Sequence, residues 1–208
     1  MVKVKICGIT NYDDAAAAVD AGADALGFVF FRESPRGLSS QDASRIIRRL
    51  PPFVATVGVF VNEPPAVIEE TASTAGLSVV QLHGEESPEV CRSIISRRVV
   101  KAFRVRSLES LDAFGHYKDL VSAFLLDTYS AAVHGGTGKV FNWDIALEAK
   151  QYGRIILAGG LTPDNVGDAV RHVRPYAVDV SSGVESGRGR KDHLRMKLFI
   201  ERAKAAGH

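Results

Sequence analysis

The stretch Met1-Val-Lys-Val-Lys-Ile-Cys7-Gly8-Ile-Thr10-Asn11-Tyr12-Asp13-Asp14 decides how the rest of the chain is read. Its first half alternates polar and apolar residues with a period of two, which predicts a strand with two unlike faces. Its second half opens a helix, with Asn11 placed to cap the turn beginning at Tyr12. A strand that passes through one short turn into a helix is the start of a β/α array. A dinucleotide-binding unit would need G-x-G-x-x-G in that turn, and only Gly8 stands there, which disfavours an open doubly wound sheet.

The same rhythm repeats to the end of the chain. Strands are predicted near Val2–Cys7, Ala25–Phe30, Ala55–Phe60, Ser78–Leu82, Val99–Ala102, Ala123–Asp127, Ile155–Ala158 and Val178–Ser181. Helices are predicted to begin near Tyr12, Ser40, Pro64, Ser87, Ser107, Trp143, Pro163 and Asp192; Thr162-Pro163-Asp164 has the order of a cap followed by proline, and Ser107-Leu-Glu-Ser110 is a weaker cap. Eight strand–helix units in 208 residues predict an α/β fold, a single-domain (β/α)8 or TIM barrel over residues 1–208. Such barrels usually take roughly 250 residues, so the connections here must be short.

Composition narrows the function classes. The chain carries 26 Lys and Arg against 24 Asp and Glu, for a formal charge of +2, so no broad field draws it to nucleic acid or to anionic membrane. Its basic clusters, Arg97-Arg98 and Arg188-Gly-Arg190-Lys191, are short, although the second is suited to help hold an anion. The first residues lack the apolar core of a secretory signal, and no stretch approaches a membrane span. Cys7 and Cys91 stand far apart, with no C-x-x-C and no neighbouring histidine pair, which argues against a disulfide framework and a metal site. The expectation is a cytoplasmic protein that needs no cofactor and no metal.

Strand parity then selects a site. In a parallel barrel alternate side chains point inward, and the functional ones sit where strands end at the carboxyl face. If Val2, Val4 and Ile6 face outward, Lys3, Lys5 and Cys7 face the axis. Likewise Val79, Gln81 and His83, then Ala123, Leu125 and Asp127, then Ala177, Asp179 and Ser181 are the inward sets. Cys7, His83, Asp127 and Ser181 therefore share one mouth, with Lys5, Gln81 and Asp179 a layer below. Inward charges need partners, and Lys5 with Asp179 is the pair that adjacent strands offer.

Small residues mark the last two strand ends: Ala158-Gly159-Gly160-Leu161 and Asp179-Val-Ser181-Ser182-Gly183-Val-Glu185. Such turns let backbone N–H groups approach an oxyanion, and a short helix after Ser182 would add its partial positive charge. Barrels often bind phosphate there. A thiol and a carboxyl group facing each other across the same mouth suit an isomerisation that needs a base and an acid, Cys7 and Asp127. A positive environment would stabilise the Cys7 thiolate, and shielding from water would keep Asp127 protonated. Cys91 lies in an apolar helical run and reads as a small core residue. Two readings stand for His83, contact with ligand or satisfaction of backbone groups at a strand end. Two also stand for Arg36 in the loop Phe31–Arg36, a grip on a substrate carboxylate or a solvated arginine. His134-Gly135-Gly136-Thr137-Gly138-Lys139 resembles a lid more than a nucleotide loop, since Lys139 is followed by valine.

Taken in order, Lys5-Ile-Cys-Gly-Ile-Thr10, Gly27-Phe-Val-Phe30 with Ser34-Pro-Arg36, Gln81-Leu-His-Gly84, Leu125-Leu-Asp-Thr128 with Gly135–Gly138, Ala158–Leu161 and Asp179–Glu185 resemble the phosphoribosylanthranilate isomerases of tryptophan biosynthesis. The resemblance implies an Amadori rearrangement of phosphoribosylanthranilate, a small-molecule substrate, with Asp127 as acid and Cys7 as base. It also implies that Arg36 holds the anthranilate carboxylate, that Gln81, His83 and Asp179 line the substrate, and that Gly159, Gly160, Ser181, Ser182 and Gly183 surround the phosphate. The protein would act as a monomer or homodimer. Two positions depart from the pattern. Asn142-Trp143 stands where Asp-Trp is common, a conservative change of cap. Gly37 replaces a larger residue after Arg36 and is expected to loosen that loop. A histidine-pathway aminoaldose isomerase is the nearest rival, but Cys7 stands where that family usually ends its first strand in an acid. A barrel that only senses a sugar phosphate is the rival outside enzymes.

Overall fold

In the computed structural model, which describes residues 1–127 and 143–207, eight parallel strands close on themselves in chain order. They are β1 (Lys3–Cys7), β2 (Ala25–Val29), β3 (Ala55–Phe60), β4 (Val79–Leu82), β5 (Arg98–Arg104), β6 (Ala123–Asp127), β7 (Ile155–Ala158) and β8 (Ala177–Val180). Around them run α1 (Tyr12–Asp20), α2 (Ser40–Ile47), α3 (Pro65–Ala75), α4 (Pro88–Ser93), a 3₁₀ segment Leu108–His116, α5 (Asp144–Ala149), α6 (Val166–Val173) and α7 (His193–Ala206). Closure is made by β8 beside β1, in a register that sets Lys5 opposite Asp179.

The two faces of each strand divide as their alternation predicts. Val4, Ile6, Phe124, Leu126, Val178 and Val180 pack outward against helix residues such as Ala15, Ile68, Val170 and Phe199. Ala123, Leu125, Ile156, Ala158 and Ala177 point inward and join Val100 and Ala102 in a smaller cluster on the axis. Each large apolar side chain buried in this way contributes roughly 1.5–3 kcal/mol. The apolar cluster fills the β5–β8 side of the interior, which leaves the charged residues grouped around β1.

Several ends differ from the sequence expectation. β5 runs on to Arg104 instead of stopping at Ala102, because Phe103 and Arg104 pair with Leu126 and Asp127 on β6. The segment after Ser107 is 3₁₀ rather than α; Ser110 Oγ accepts from the N–H groups of Arg106 and Ser107, and Phe114 anchors it by stacking on Phe103 and Phe124. The helix expected at Pro163 begins at Val166, since Thr162 and Asn165 first close a turn in which Asn165 Oδ1 accepts from Thr162 N at 2.8 Å. Asn11 caps α1 as expected, with Oδ1 accepting from Asp14 N at 2.8 Å. After β8 a short antiparallel hairpin forms, β9 (Glu185–Gly187) with β10 (Arg190–Lys191).

Candidate active site

Cys7 is the last residue of β1, and its side chain is buried at the carboxyl end of the barrel. Its register partner on β2 is Gly27, where a Cβ would lie 2.8 Å from Cys7 Sγ, so only glycine leaves room for the thiol. One layer below, Lys5 Nζ donates to Asp179 Oδ1 at 2.9 Å, with both side chains almost fully enclosed. Burial opposes the Lys5 charge, but Asp179 and Cys7 together hold the ammonium above its ordinary range. The thiol responds differently from the sequence expectation. Burial pushes it up, and the pull of Lys5 and Lys191 does not overcome that push, because Asp179 adds to it. The nearest cation is already partnered by a carboxylate, so Cys7 is held as a thiol above its ordinary pKa rather than as a stabilised thiolate.

Asp127 ends β6 at the same mouth. His83 Nε2 lies 3.3 Å from Asp127 Oδ2, and Gln81 Nε2 lies 2.9 Å from His83 Nδ1, so Gln81 of β4, His83 just after it and Asp127 of β6 form one hydrogen-bonded run. Neither reading offered for His83 describes its ring contacts: the imidazole meets the side chains of Gln81 and Asp127 rather than backbone groups. Arg104 is the register partner of Asp127 and shares the inward parity of Val100 and Ala102. Sequence reading missed it because the strand was ended two residues early.

Arg36 is engaged by the protein itself. Its Nε and Nη2 donate to the two carboxylate oxygens of Glu185 at 2.7 and 2.6 Å. Glu185 also accepts from Lys191 Nζ at 2.9 Å, and Lys191 donates to the carbonyl of Ser181. Burial opposes the Glu185 charge, yet the hydrogen bonds from Arg36 and Lys191 hold its carboxyl below the ordinary range. The basic cluster expected to help hold an anion thus holds Glu185, an anion of the chain itself, through its buried Lys191. Gly8 makes this possible: it turns with φ 75°, and a Cβ there would meet Arg36 Cδ at 2.4 Å and Ser181 Oγ at 3.0 Å. Gly37 tightens the Arg36 loop, contrary to expectation. Its N–H donates to Ser34 O at 2.9 Å, and a Cβ would lie 2.8 Å from the carbonyl of Phe31.

The two small-residue turns meet each other. Gly159 and Gly160 both have left-handed backbone, φ 78° and 66°. Ser181 follows β8, and Ser182–Val184 forms a single 3₁₀ turn. At Gly183 a Cβ would stand 1.9 Å from the carbonyl oxygen of Leu161, so the close approach that demands glycine is loop against loop. Glu86 and Lys101 form a second buried pair, 3.0 Å apart, with Glu86 also accepting from the N–H groups of Asn62 and Gly84. The Gly84-Glu85-Glu86 run carried no signal by which sequence reading found it.

The lid expected at His134–Lys139 and the Asn142 cap lie outside the described residues. Among the described residues, no three His, Cys, Asp or Glu side chains converge as metal ligands, and no helix is long and apolar enough to cross a membrane. Cys91 is buried in α4, where burial pushes its thiol up to about 11.

A barrel that gathers a thiol, a carboxyl group and two interlocked small-residue turns at one mouth belongs with the intramolecular aldose–ketose isomerases of sugar phosphates. A family model described as N-(5'phosphoribosyl)anthranilate (PRA) isomerase matches residues 4–202. The chain belongs to that family, whose reaction is a step of tryptophan biosynthesis. The N-(5'-phosphoribosyl)anthranilate isomerase of Geobacter sulfurreducens is 60% identical over 98% of this chain and 99% of its own length. The crystal structure of the Thermotoga maritima phosphoribosyl anthranilate isomerase matches with a TM-score of 0.91 at 49% identity, covering 99% of this chain and 100% of that one. A phosphoribosyl anthranilate isomerase in complex with reduced 1-(o-carboxyphenylamino)-1-deoxyribulose 5-phosphate matches at 0.90 and 47%, over 99% and 100% of the two chains. A further Thermotoga maritima structure, 46% identical with a TM-score of 0.88 over 99% and 100%, is of generated monomers of a dimeric isomerase.

Proposed function

We propose that this chain converts N-(5-phosphoribosyl)anthranilate to 1-(2-carboxyphenylamino)-1-deoxyribulose 5-phosphate by proton transfer between Asp127, Cys7 and the sugar. The observation that carries this reading is the placement of the buried Cys7 thiol and the Asp127 carboxyl group at one end of one barrel, each ending its strand. Protonated Asp127 gives its proton to the ring oxygen as the C1′–O bond breaks and the nitrogen lone pair forms the Schiff base. Cys7, as thiolate, then takes the C2′ proton, and the resulting enolamine tautomerises to the ketone. Only protons move between the chain and the substrate.

The raised Cys7 pKa makes the thiolate a minor form at neutral pH, so the supply of thiolate should set the acid limb of the kcat–pH profile, along which turnover climbs as pH rises. The phosphate is held by Gly159, Gly160, Ser181, Ser182 and Gly183, where the interlocked turns present backbone N–H groups. Arg36 meets the anthranilate carboxylate with the guanidinium edge that Glu185 leaves open, and Asp179 acts through Lys5. Residues 1–208 work as one unit in the cytoplasm, a setting that keeps both free cysteines reduced. A homodimer suits Phe53, which is 97% exposed at the amino end of the barrel; light scattering on the purified protein reports it.

Loss of phosphoribosylanthranilate fluorescence on adding purified protein tests the reading. Cys7→Ser and Asp127→Asn should each lower kcat by about 10²–10⁴-fold while a phosphate ligand still binds by calorimetry. Unchanged turnover in both variants would remove this acid and this base from the mechanism.

A further inference from the structure

We propose that Gln81 is a positioning residue for the acid step: by turning its side-chain amide it sets whether the His83–Asp127 pair holds the proton that opens the ring. The inference rests on Asp127 being the acid, as read above.

The geometry has two self-consistent forms. In the observed one the Gln81 amide N–H donates to His83 Nδ1 at 2.9 Å. A neutral imidazole whose Nδ1 accepts must carry its hydrogen on Nε2. That hydrogen points at Asp127 Oδ2, 3.3 Å away, so Asp127 is the acceptor and carries no proton to give. If the amide turns by half a revolution, Oε1 accepts from Nδ1–H. The pair then holds one more proton, shared between His83 Nε2 and Asp127 Oδ2, and this is the form that can protonate the ring oxygen. When that proton leaves, the C1′–O electron pair stays on oxygen and the nitrogen lone pair completes C=N. Nδ1 then gives up its hydrogen to Nε2 through solvent exchange, and the amide turns back. The proton is regained from water.

A second observation points the same way. Gln81 is 1% exposed, and its buried Oε1 has no hydrogen-bond donor among the described residues. Buried acceptors are rarely left so. Turning the amide gives this oxygen the His83 Nδ1–H as donor and moves Nε2 into the slot where Oε1 stood; because the two ends of the amide have nearly the same shape, the turn displaces no neighbour.

The charged groups around this run are few among the described residues. Arg104 stands beside Asp127 on β5, Lys5 and Cys7 face it from β1, and Asp179 faces it from β8. The Glu86–Lys101 pair lies behind β4, while the inward residues of β2, β3 and β7 are uncharged.

The test is a ¹⁵N NMR titration of His83 in the full-length protein, run beside kcat–pH profiles of wild type, Gln81→Met and Gln81→Glu. In wild type, Nδ1 should be bare on the alkaline side and gain its hydrogen over the pH range in which kcat rises from the alkaline limb. Gln81→Glu, whose ionised carboxylate has no donor and only accepts, should hold Nδ1–H and move the alkaline limb up by about one pH unit, a tenfold change in proton affinity. Gln81→Met offers no acceptor, and should move it down by a similar amount and lower kcat about tenfold with KM within about twofold. Limbs that move together or not at all, or a wild-type Nδ1 that stays bare throughout, would overturn the proposal. The wild-type titration needs no variant to fold. A wild type without turnover would defeat the assigned reaction, and the proposal that rests on it, whatever the titration gives.

Discussion

Replacing Asp179 by Asn would leave Lys5 as an uncompensated ammonium inside the barrel. The two atoms stand 2.9 Å apart with side chains only 6% and 8% exposed. At an effective dielectric near 20 their attraction is about 6 kcal/mol, and the cost of removing both ions from water offsets several kcal/mol of it. Removing one partner forfeits the attraction and keeps the other's desolvation, so Asp179→Asn and Lys5→Met should each cost about 3–5 kcal/mol. For a chain of this size that is a fall in midpoint of roughly 6–20 °C. The double variant Lys5→Met/Asp179→Asn buries no charge and should recover most of the loss, a coupling of at least about 2 kcal/mol. Urea unfolding at pH 7 measures all four proteins. That pH is safe: Lys5 has its folded pKa raised above 10.5, so its contribution is complete below that value and is lost only as pH rises through the folded pKa. The thiol gives a second reading. Lys5→Met removes a cation that pulls the Cys7 pKa down, so it should push that pKa higher still and slow alkylation, which in wild type quickens as pH rises. Single variants that each cost less than about 1 kcal/mol, or costs that simply add, would refute the account of a buried, mutually dependent pair.

Gly183→Ala puts a methyl group where the carbonyl of Leu161 now stands, 1.9 Å away; it should spread the two turns, cost about 1–3 kcal/mol, and weaken phosphate-ligand binding by calorimetry more than it changes the pH dependence of turnover. Glu185 has its folded pKa lowered below 4.5, so its contribution is present above that value and lost as pH falls through the folded pKa. Acid unfolding of Glu185→Gln should therefore begin from a less stable protein and depend less on pH over that window. Cys91 shifts the other way, from 9.0 to about 11: the unfolded chain ionises first, stability should decline as pH rises between those values, and Cys91→Ala should flatten that decline in denaturation curves measured from pH 8 to 11.

Much of the site was legible because a strand repeats every two residues. That period alone sends Lys5, Cys7, Asp127 and Asp179 to the axis, and the rule that function gathers at carboxyl ends picks Cys7 and Asp127 from them. Strand ends were harder. Arg104 was lost with the last two residues of β5, whose strand state depends on pairing with β6 and not on local preference.

What the sequence by itself determined is the alternation of strands and helices, the inward and outward sets, and the excess of small residues at the last two turns, since each is a local pattern of side-chain size and polarity. What only the tertiary structure decided are the partners. Lys5 meets Asp179 because closure sets β1 against β8, and Arg36 is taken by Glu185 because Gly8 lets their loops approach. The Cys7 thiol is held up because the closed barrel buries it, a push that Lys5 and Lys191, opposed by Asp179, do not overcome. Charge and hydrogen bonding act over a few ångströms of space, and separations of 149 and 174 residues along the chain become bonds only when the barrel closes.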